Sequence, residues 1–251
     1  MPITQLVRIL DADPDLAGTL RGEQRELARR SIVAEVVAIG QGENLSAAVS
    51  TVDSKDPLGL LVLDGLALRR VRLVGRAGVE IIGAGDLIRP WQFDGDTLSV
   101  AAYVEWTVCE TTRVAILDED VQTLLARFPS VLRELVGRLV QRSNALALNL
   151  AIAQLPRIDA RLHVLFWHLA DRFGRVESDG VVVPLRLSHA TLADLVFARR
   201  QSVTTALGQL ARQGLLSRES PARWVLSGEP PAEALPSAAR FARSGDAGTE
   251  R

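Results

Sequence analysis

One cysteine, one methionine, one tyrosine, three histidines and a single lysine, Lys55, are spread over 251 residues. The lone Cys109 excludes an internal disulfide framework, a cysteine-rich zinc site and a cysteine-ligated iron–sulfur cluster within one chain. The histidines, His163, His168 and His189, all lie in the C-terminal half. His163 and His168 are five apart, which does not bring them onto one helix face, so they read as packing or surface residues rather than metal ligands. No apolar run reaches the ~18 residues of a membrane helix. The first residues, MPITQLVRILDADPD, meet acids where a signal peptide needs its apolar stretch. There is no P-loop, no Gly-x-Ser-x-Gly and no metal-binding histidine pair. Gly75, Gly78, Gly83 and Gly85 fall between strand-like runs and open no helix, so a dinucleotide-binding reading fails its structural test. These absences predict a cytoplasmic protein that is not an enzyme, with no metal and no cofactor.

What is present is ordinary globular composition, 47 % hydrophobic and 24 % charged, long enough for two modest domains. The net charge of −1 hides a polarity. Residues 156–227 carry ten basic against six acidic side chains, whereas residues 1–155 carry sixteen against twenty. A local positive excess is a weak pointer to a polyanionic partner, and chance produces it as well.

Residues 4–30 read as helical in two pieces broken near Asp13-Pro14, with Leu6, Ile9 and Leu10 on one face and Leu16, Leu20 and Leu27 on a second. From about residue 32 to 117 the texture becomes short Val/Ile/Leu runs punctuated by glycine: IVAEVVAIG, LGLLVLDG, LALRRVRLVG, VEIIGAGD, LSVAAYVEWTVCE, TRVAIL. That spacing predicts an antiparallel sandwich or jelly roll. Asp118 then caps a short helix ending near Arg127, and Pro129-Ser130 opens a long one over residues 131–155. Its seam, Leu132, Leu135/Val136, Leu139, Leu146, Leu150 and Ala153, is close to a heptad stripe. Two readings stand: a dimer seam between two copies, or a helix packed on its own sheet. Pro156 ends it. A further helix carries Leu162, Leu165, Phe166, Leu169 and Phe173 and stops at Gly174. A two-stranded ribbon turns at Ser178-Asp179-Gly180.

Residues 188–216, SHATLADLVFARRQSVTTALGQLARQGLL, carry the most specific pattern. Ser188 is a good N-cap, and Leu192 and Leu195 give a short buried face. Val196-Phe197-Ala198 form a tight turn. The next helix buries Val203, Leu207 and Leu210 and shows Arg199, Arg200, Gln201, Thr204, Thr205 and Gln209. Gly214 ends it, and Leu215-Leu216 pairs with Arg223–Leu226. Helix, turn, helix and hairpin together make a winged helix-turn-helix. Arg and Gln at the start of the second helix can make bidentate bonds to base edges, and Ser202, Thr204 and Thr205 can donate to phosphates. The competing reading is a helical hairpin with a solvated polar face.

The run LADLVFARRQSVTTALGQLARQGLL resembles the helix-turn-helix of the Crp–Fnr family, the cyclic-AMP receptor protein and its relatives. The similarity extends over roughly residues 30–227 and implies an α+β architecture. Residues 1–128 would be a sensor domain of cyclic-nucleotide-binding type with a β jelly roll. Residues 129–155 would be a dimerisation helix, 156–227 the DNA-binding domain and 228–251 a mobile tail. It also implies base reading by Arg200, Gln201 and Thr205 and a phosphate contact by Ser202. The partners it implies are double-stranded DNA and a second copy, with RNA polymerase and an unidentified small-molecule effector as further candidates. Phe197 departs from the family pattern, which has a small residue there, often glycine; the expectation is a slightly opened turn.

The sensor half departs further. Gly85-Asp86-Leu87-Ile88 matches the start of the family's cyclic-nucleotide cassette, but Arg89-Pro90 follows where nucleotide binders have Gly-Glu. No arginine occurs between Arg89 and Arg113 to pair with a cyclic phosphate, and Leu146-Ala147 stand where a polar pair touches the base. A buried phosphate with no cationic partner costs several kcal/mol. The expectation is an effector other than cyclic AMP in its usual pose, or none. Arg89 remains a candidate anion ligand or a surface residue. Trp91, Tyr103 and Trp106 are candidate pocket walls or plain core, and Cys109 a buried small residue rather than a haem ligand. The alternative to a transcription regulator is an effector sensor with a vestigial DNA-binding head that acts through protein partners.

Overall fold

The computed structural model describes residues 4–49, 57–91 and 102–231. Most of the expected tail, residues 232–251, lies outside them. The chain divides into two compact units, Met1–Leu146 and Ala147–Arg251. The class is α+β: an antiparallel sheet, a long helix and a C-terminal winged helix-turn-helix.

The first unit is built on β1 (Thr4–Arg8), β2 (Val33–Ile39), β3 (Gly59–Leu73), β4 (Arg76–Gly83), β5 (Leu87–Ile88) and β6 (Tyr103–Leu117). The order is β1-β2-β6-β3-β4, with β5 on β3, and every pairing is antiparallel. Alternate residues feed two separate cores. Val36, Leu61, Ala115 and Leu117 go to one; Val37, Leu60, Val62, Val114 and Ile116 go to the other. Strands covered on both faces read as continuous apolar runs, which is why the alternation is hard to see in the sequence.

Two expectations change here. Residues 4–8 form β1 rather than helix, paired with β2 in the register Leu6↔Glu35. Backbone pairing to a distant strand overrides a local pattern that also suits a helix. Helix α1 (Ile9–Ala12), a 3-10 turn (Pro14–Ala17) and α2 (Gly22–Ser31) follow. Leu16 and Leu20 are buried as expected, while Leu27 is exposed. Second, LGLLVLDG and LALRRVRLVG are one bent strand, β3, whose register shifts against β6 between Val62 and Ala67. Gly65 sits in this bulge at φ +91°, where a Cβ would lie 2.4 Å from the Thr111 carbonyl oxygen. The glycine bends the strand without ending it.

Helix α3 (Leu45–Val49) covers the second core. Asp118 caps α4 (Glu119–Ala126), accepting from Val121 N. Helix α5 (Pro129–Ala153) spans 25 residues. Val131 and Leu135 point into the first core. Arg138 pairs with Asp13, and Arg142 with Glu80 at 2.5 and 2.8 Å. These anchors fix the rotation of the helix. The large apolar side chains that its first half exposes are Leu132, Val136, Leu139 and Val140. Leu135 is therefore corrected from seam to core, and Val136 takes its place on the exposed stripe.

In the second unit α6 (Ile158–Phe173) packs against a sheet ordered β7 (Arg175–Glu177), β8 (Gly180–Val183), β10 (Arg223–Leu226), β9 (Leu216–Ser220). Helices α7 (His189–Leu195) and α8 (Arg200–Arg212) complete it. Phe166 and Trp224, both fully buried, meet at 4.8 Å between ring centroids. Gly174 ends α6 at φ −73°, not in a left-handed cap. Its role is closeness, since a Cβ would lie 2.4 Å from the Ala170 carbonyl oxygen.

Candidate nucleic-acid interface

Helix α7 starts where Ser188 Oγ accepts from Thr191 N at 3.0 Å. Leu192, Ala193 and Leu195 bury its inner face. The turn closes through Val196 N to Leu192 O at 3.0 Å and Ala198 N to Ala193 O at 2.9 Å. Arg161, on α6, holds it from behind: its Nη1 donates to Val196 O at 3.0 Å and its Nε to Leu155 O at 2.6 Å. The turn is closed rather than opened, and Phe197 reaches it by taking φ +53° with its ring part-exposed. A left-handed conformation costs a non-glycine residue about 1–2 kcal/mol. Glycine would recover that and lose part of it to unfolded-chain entropy, so Phe197→Gly is expected to raise stability by about 0.5–1 kcal/mol. Chemical denaturation measures this; a fall in stability would mean that the ring's contacts outweigh the strain.

Helix α8 buries Val203, Ala206, Leu207 and Leu210. That packing sets which residues face out: Arg200, Gln201, Thr204 and Thr205 are exposed, Arg199 is the exposed N-cap residue and Ser202 is half-buried. The two threonines differ from the sequence expectation in one respect. Thr204 Oγ1 donates to Arg200 O at 3.1 Å and Thr205 Oγ1 to Gln201 O at 3.2 Å. With its proton committed to the helix, each hydroxyl offers outward an acceptor oxygen and a methyl group.

The structure adds two residues that periodicity did not single out. His189 Nδ1 lies 2.9 Å from Thr204 Oγ1. The imidazole tautomer decides which of the two donates: with the Thr204 proton on Arg200 O, Nδ1 carries the proton and Nε2 is the acceptor. Burial and the positive charges of Arg218 and Arg200 lower the His189 pKa below its usual value. Arg218, on β9, lies 4.9 Å from the Trp224 ring centroid and donates to Ser220 O and Pro221 O. It ties the wing's turn together and places a positive charge near enough to act on His189. Neither role is readable from spacing: His189 needs α7 docked on α8, and Arg218 needs the β9–β10 wing to close.

The expected effector residues separate in the first unit. Arg89 and Trp106 line one cavity of about 510 Å3, joined by Arg69 from β3 and Arg142 from α5. The cationic charge absent from the strand after Arg89 thus arrives from other elements. Trp91 is exposed, with the Arg89 guanidinium 5.8 Å from its ring centroid. Leu146 is half-buried on α5 and does not line the cavity. Tyr103 is exposed. Burial pushes the Cys109 thiol pKa up, which disfavours the thiolate that a metal would need. Among the described residues no group of three or more His, Cys, Asp or Glu side chains is placed to hold a metal ion. No helix of the described residues is long and apolar enough to cross a membrane.

A short capped helix, a tight turn, a polar-faced second helix and a two-stranded wing define a winged helix-turn-helix protein. The particular kind follows from comparison. Residues 160–227 match the Crp-like helix-turn-helix domain family. Over about three quarters of the chain the fold is that of solved CRP/FNR-type transcription regulators. FixK2 from Bradyrhizobium japonicum superimposes with a TM-score of 0.57 at 16 % identity, covering 78 % of this chain and 93 % of that one. A CRP/FNR-family regulator from Thermus thermophilus gives 0.52 at 20 % identity, over 77 % and 93 %. The c-di-GMP-responsive global regulator CLP of Xanthomonas campestris gives 0.54 at 17 %, over 78 % and 95 %. No curated protein matches the sequence.

Proposed function

We propose that the protein is a cytoplasmic, sequence-specific transcription regulator that binds a pseudo-palindromic operator as a homodimer. The observation that carries this reading is the outer face of α8, where Arg200, Gln201, Thr204 and Thr205 are exposed while Val203, Leu207 and Leu210 lock the helix from behind. Residues 156–227 supply the DNA-binding domain, residues 129–155 the dimer helix and residues 1–128 the sensor. Arg200, Gln201 and Thr205 read bases, Ser202 and Arg199 set register on phosphates, and Thr204 belongs to the same interface through its methyl group and its contact with His189. Leu132, Leu139, Leu146 and Leu150 contribute to the dimer contact with Val136 and Val140. The effector is not cyclic AMP in its usual pose, because Arg89-Pro90 and Leu146-Ala147 replace the groups that would hold it.

Selection from a randomised duplex library by the purified protein at near-physiological salt tests this. Recovery of a palindrome with half-sites one helical turn apart is expected. Recovery of nothing from a folded dimer, with or without added ligands, would leave the sensor with a vestigial head. RNA polymerase recruitment is a separate proposal, tested by transcription from a template carrying the selected operator.

The His189 cluster adds a pH signature. In the free protein burial, and then the charges of Arg218 and Arg200, hold its pKa down; a phosphate beside the arginines neutralises their part of that effect and favours the imidazolium. Binding then takes up a proton, so operator affinity is expected to rise as pH falls from about 8 to about 6. The slope should flatten in His189→Gln; an equal slope in that variant would remove His189 from the interface.

A further inference from the structure

The cavity in the first unit holds an arrangement that its own residues leave incomplete. Glu80, 7 % exposed, serves two arginines at once. It receives Arg142 through Nε and Nη2 at 2.5 and 2.8 Å, and Arg69 through Nη1 at 3.3 Å. Arg142 donates through Nη1 to Leu87 O at 2.9 Å, so each of its three nitrogens has a partner and it acts as a positioning residue. Arg69 is not: its Nε is buried and has no hydrogen-bond partner. Across from it stands Trp106, 4 % exposed, with the Arg69 guanidinium 5.9 Å from the ring centroid. The Trp106 indole N–H is likewise buried and without a partner. Buried donors are rarely left so, and here two of them line the same space.

The charge points the same way. Two guanidiniums share one carboxylate, leaving one positive charge over in the Arg69–Glu80–Arg142 group. Asp86, the other buried carboxylate among the described residues, accepts from Gly83 N at 2.9 Å and acts on Arg142. Burial and the Arg142 charge pull the Arg69 pKa down despite Glu80, and the cavity lining includes Arg69, Arg89 and Arg142 but no carboxylate. Water could satisfy the two donors but not the charge. A bare ion is too small: about 510 Å3 is the size of a small-molecule site, and Leu58, Leu87 and Leu139 form its apolar walls.

We propose that this cavity binds an amphipathic organic anion, with an oxyanion head on Arg69 and the Trp106 N–H and an apolar body against Leu58, Leu87 and Leu139. Arg89 also lines the cavity and adds a second cationic side chain. Leu139 is also part of the exposed stripe of α5, so an occupant would touch a side chain of the dimer contact. That regulatory consequence rests on the regulator reading; the binding itself does not.

The test is calorimetric titration of the full-length protein with two probe series: hexanoate through decanoate with 3-phenylpropionate, and the corresponding alkyl phosphates. Each is run beside its neutral amide or alcohol and beside inorganic phosphate. At least one oxyanion is expected to bind about tenfold or more tightly than its neutral counterpart and than inorganic phosphate. The series that binds identifies the head as carboxylate or phosphate. Arg69→Gln should bring the anion down to the level of the neutral probe, and Trp106→Phe, which keeps the ring and removes the donor, should weaken it several-fold. No binding in either series, equal binding of anion and neutral probe, or unchanged affinity in Trp106→Phe would overturn the proposal. If Arg69→Gln does not fold, the wild-type comparison and Trp106→Phe decide. The operator selection reads DNA and not the cavity, so failure there both with and without added ligands rejects the regulator reading and leaves this one standing.

Discussion

Replacing Arg200 with alanine is expected to cost about 1–3 kcal/mol of operator affinity and to relax base preference at one position of each half-site. Arg200 is the first residue of α8 and is exposed. The first turn of such a helix is the part that enters the major groove, where guanidinium can make two parallel bonds to one guanine. The helix cannot rotate to substitute a neighbour, because Val203, Leu207 and Leu210 are packed behind it. Ser202→Ala is the contrast: loss of a phosphate contact should weaken all sequences about equally. Binding of each variant to the operator and to a set of single-base-pair changes, by fluorescence anisotropy at fixed salt, separates the two. If Arg200→Ala keeps the wild-type preference at every position, the base-reading assignment is wrong.

The second large effect is expected from Val136→Glu combined with Val140→Glu. Both side chains are half-exposed in the single chain, at 51 % and 54 %, so the unit around them should fold unchanged. Buried between two copies, four carboxylates would be desolvated against one another, and the dimer should give way to monomer. Loss of the second half-site removes the gain from linked binding, so operator affinity should fall by about 100-fold or more. Light scattering reads the oligomeric state and anisotropy reads the affinity. A variant that remains a dimer would place the contact elsewhere. Leu135, the alternative reading of this stripe, is unsuited to the test because it is core and its replacement would unfold the unit.

The parts of this protein legible in its sequence are those governed by a few neighbouring residues. Asp118 and Ser188 sit one residue before their helices and accept from the N–H three residues on. Pro129 opens the long helix, and Asp179-Gly180 marks the hairpin. The buried spacing of Val203, Leu207 and Leu210 orients the second helix of the motif. Each is a local hydrogen bond, a backbone restriction or a helical period, and each survives without knowledge of the fold.

What the tertiary structure alone decided depends on partners far apart in the chain. Residues 4–8 are strand because residues 33–37 offer a free edge. The two glycine-separated runs of β3 are one strand because Thr111 and Thr112 on β6 accommodate a bulge at Gly65. Leu135 rather than Val136 is core because Arg138 and Arg142 pin the helix to Asp13 and Glu80. The cavity's cations come from β3, α5 and the turn after β5, so a search for one arginine at one strand position could not find them. His189 meets Thr204 fifteen residues away only once α7 and α8 have docked. Short-range patterns determined which elements exist and which face of α8 is outward; long-range pairing and burial determined where charge accumulates and what is left unpaired.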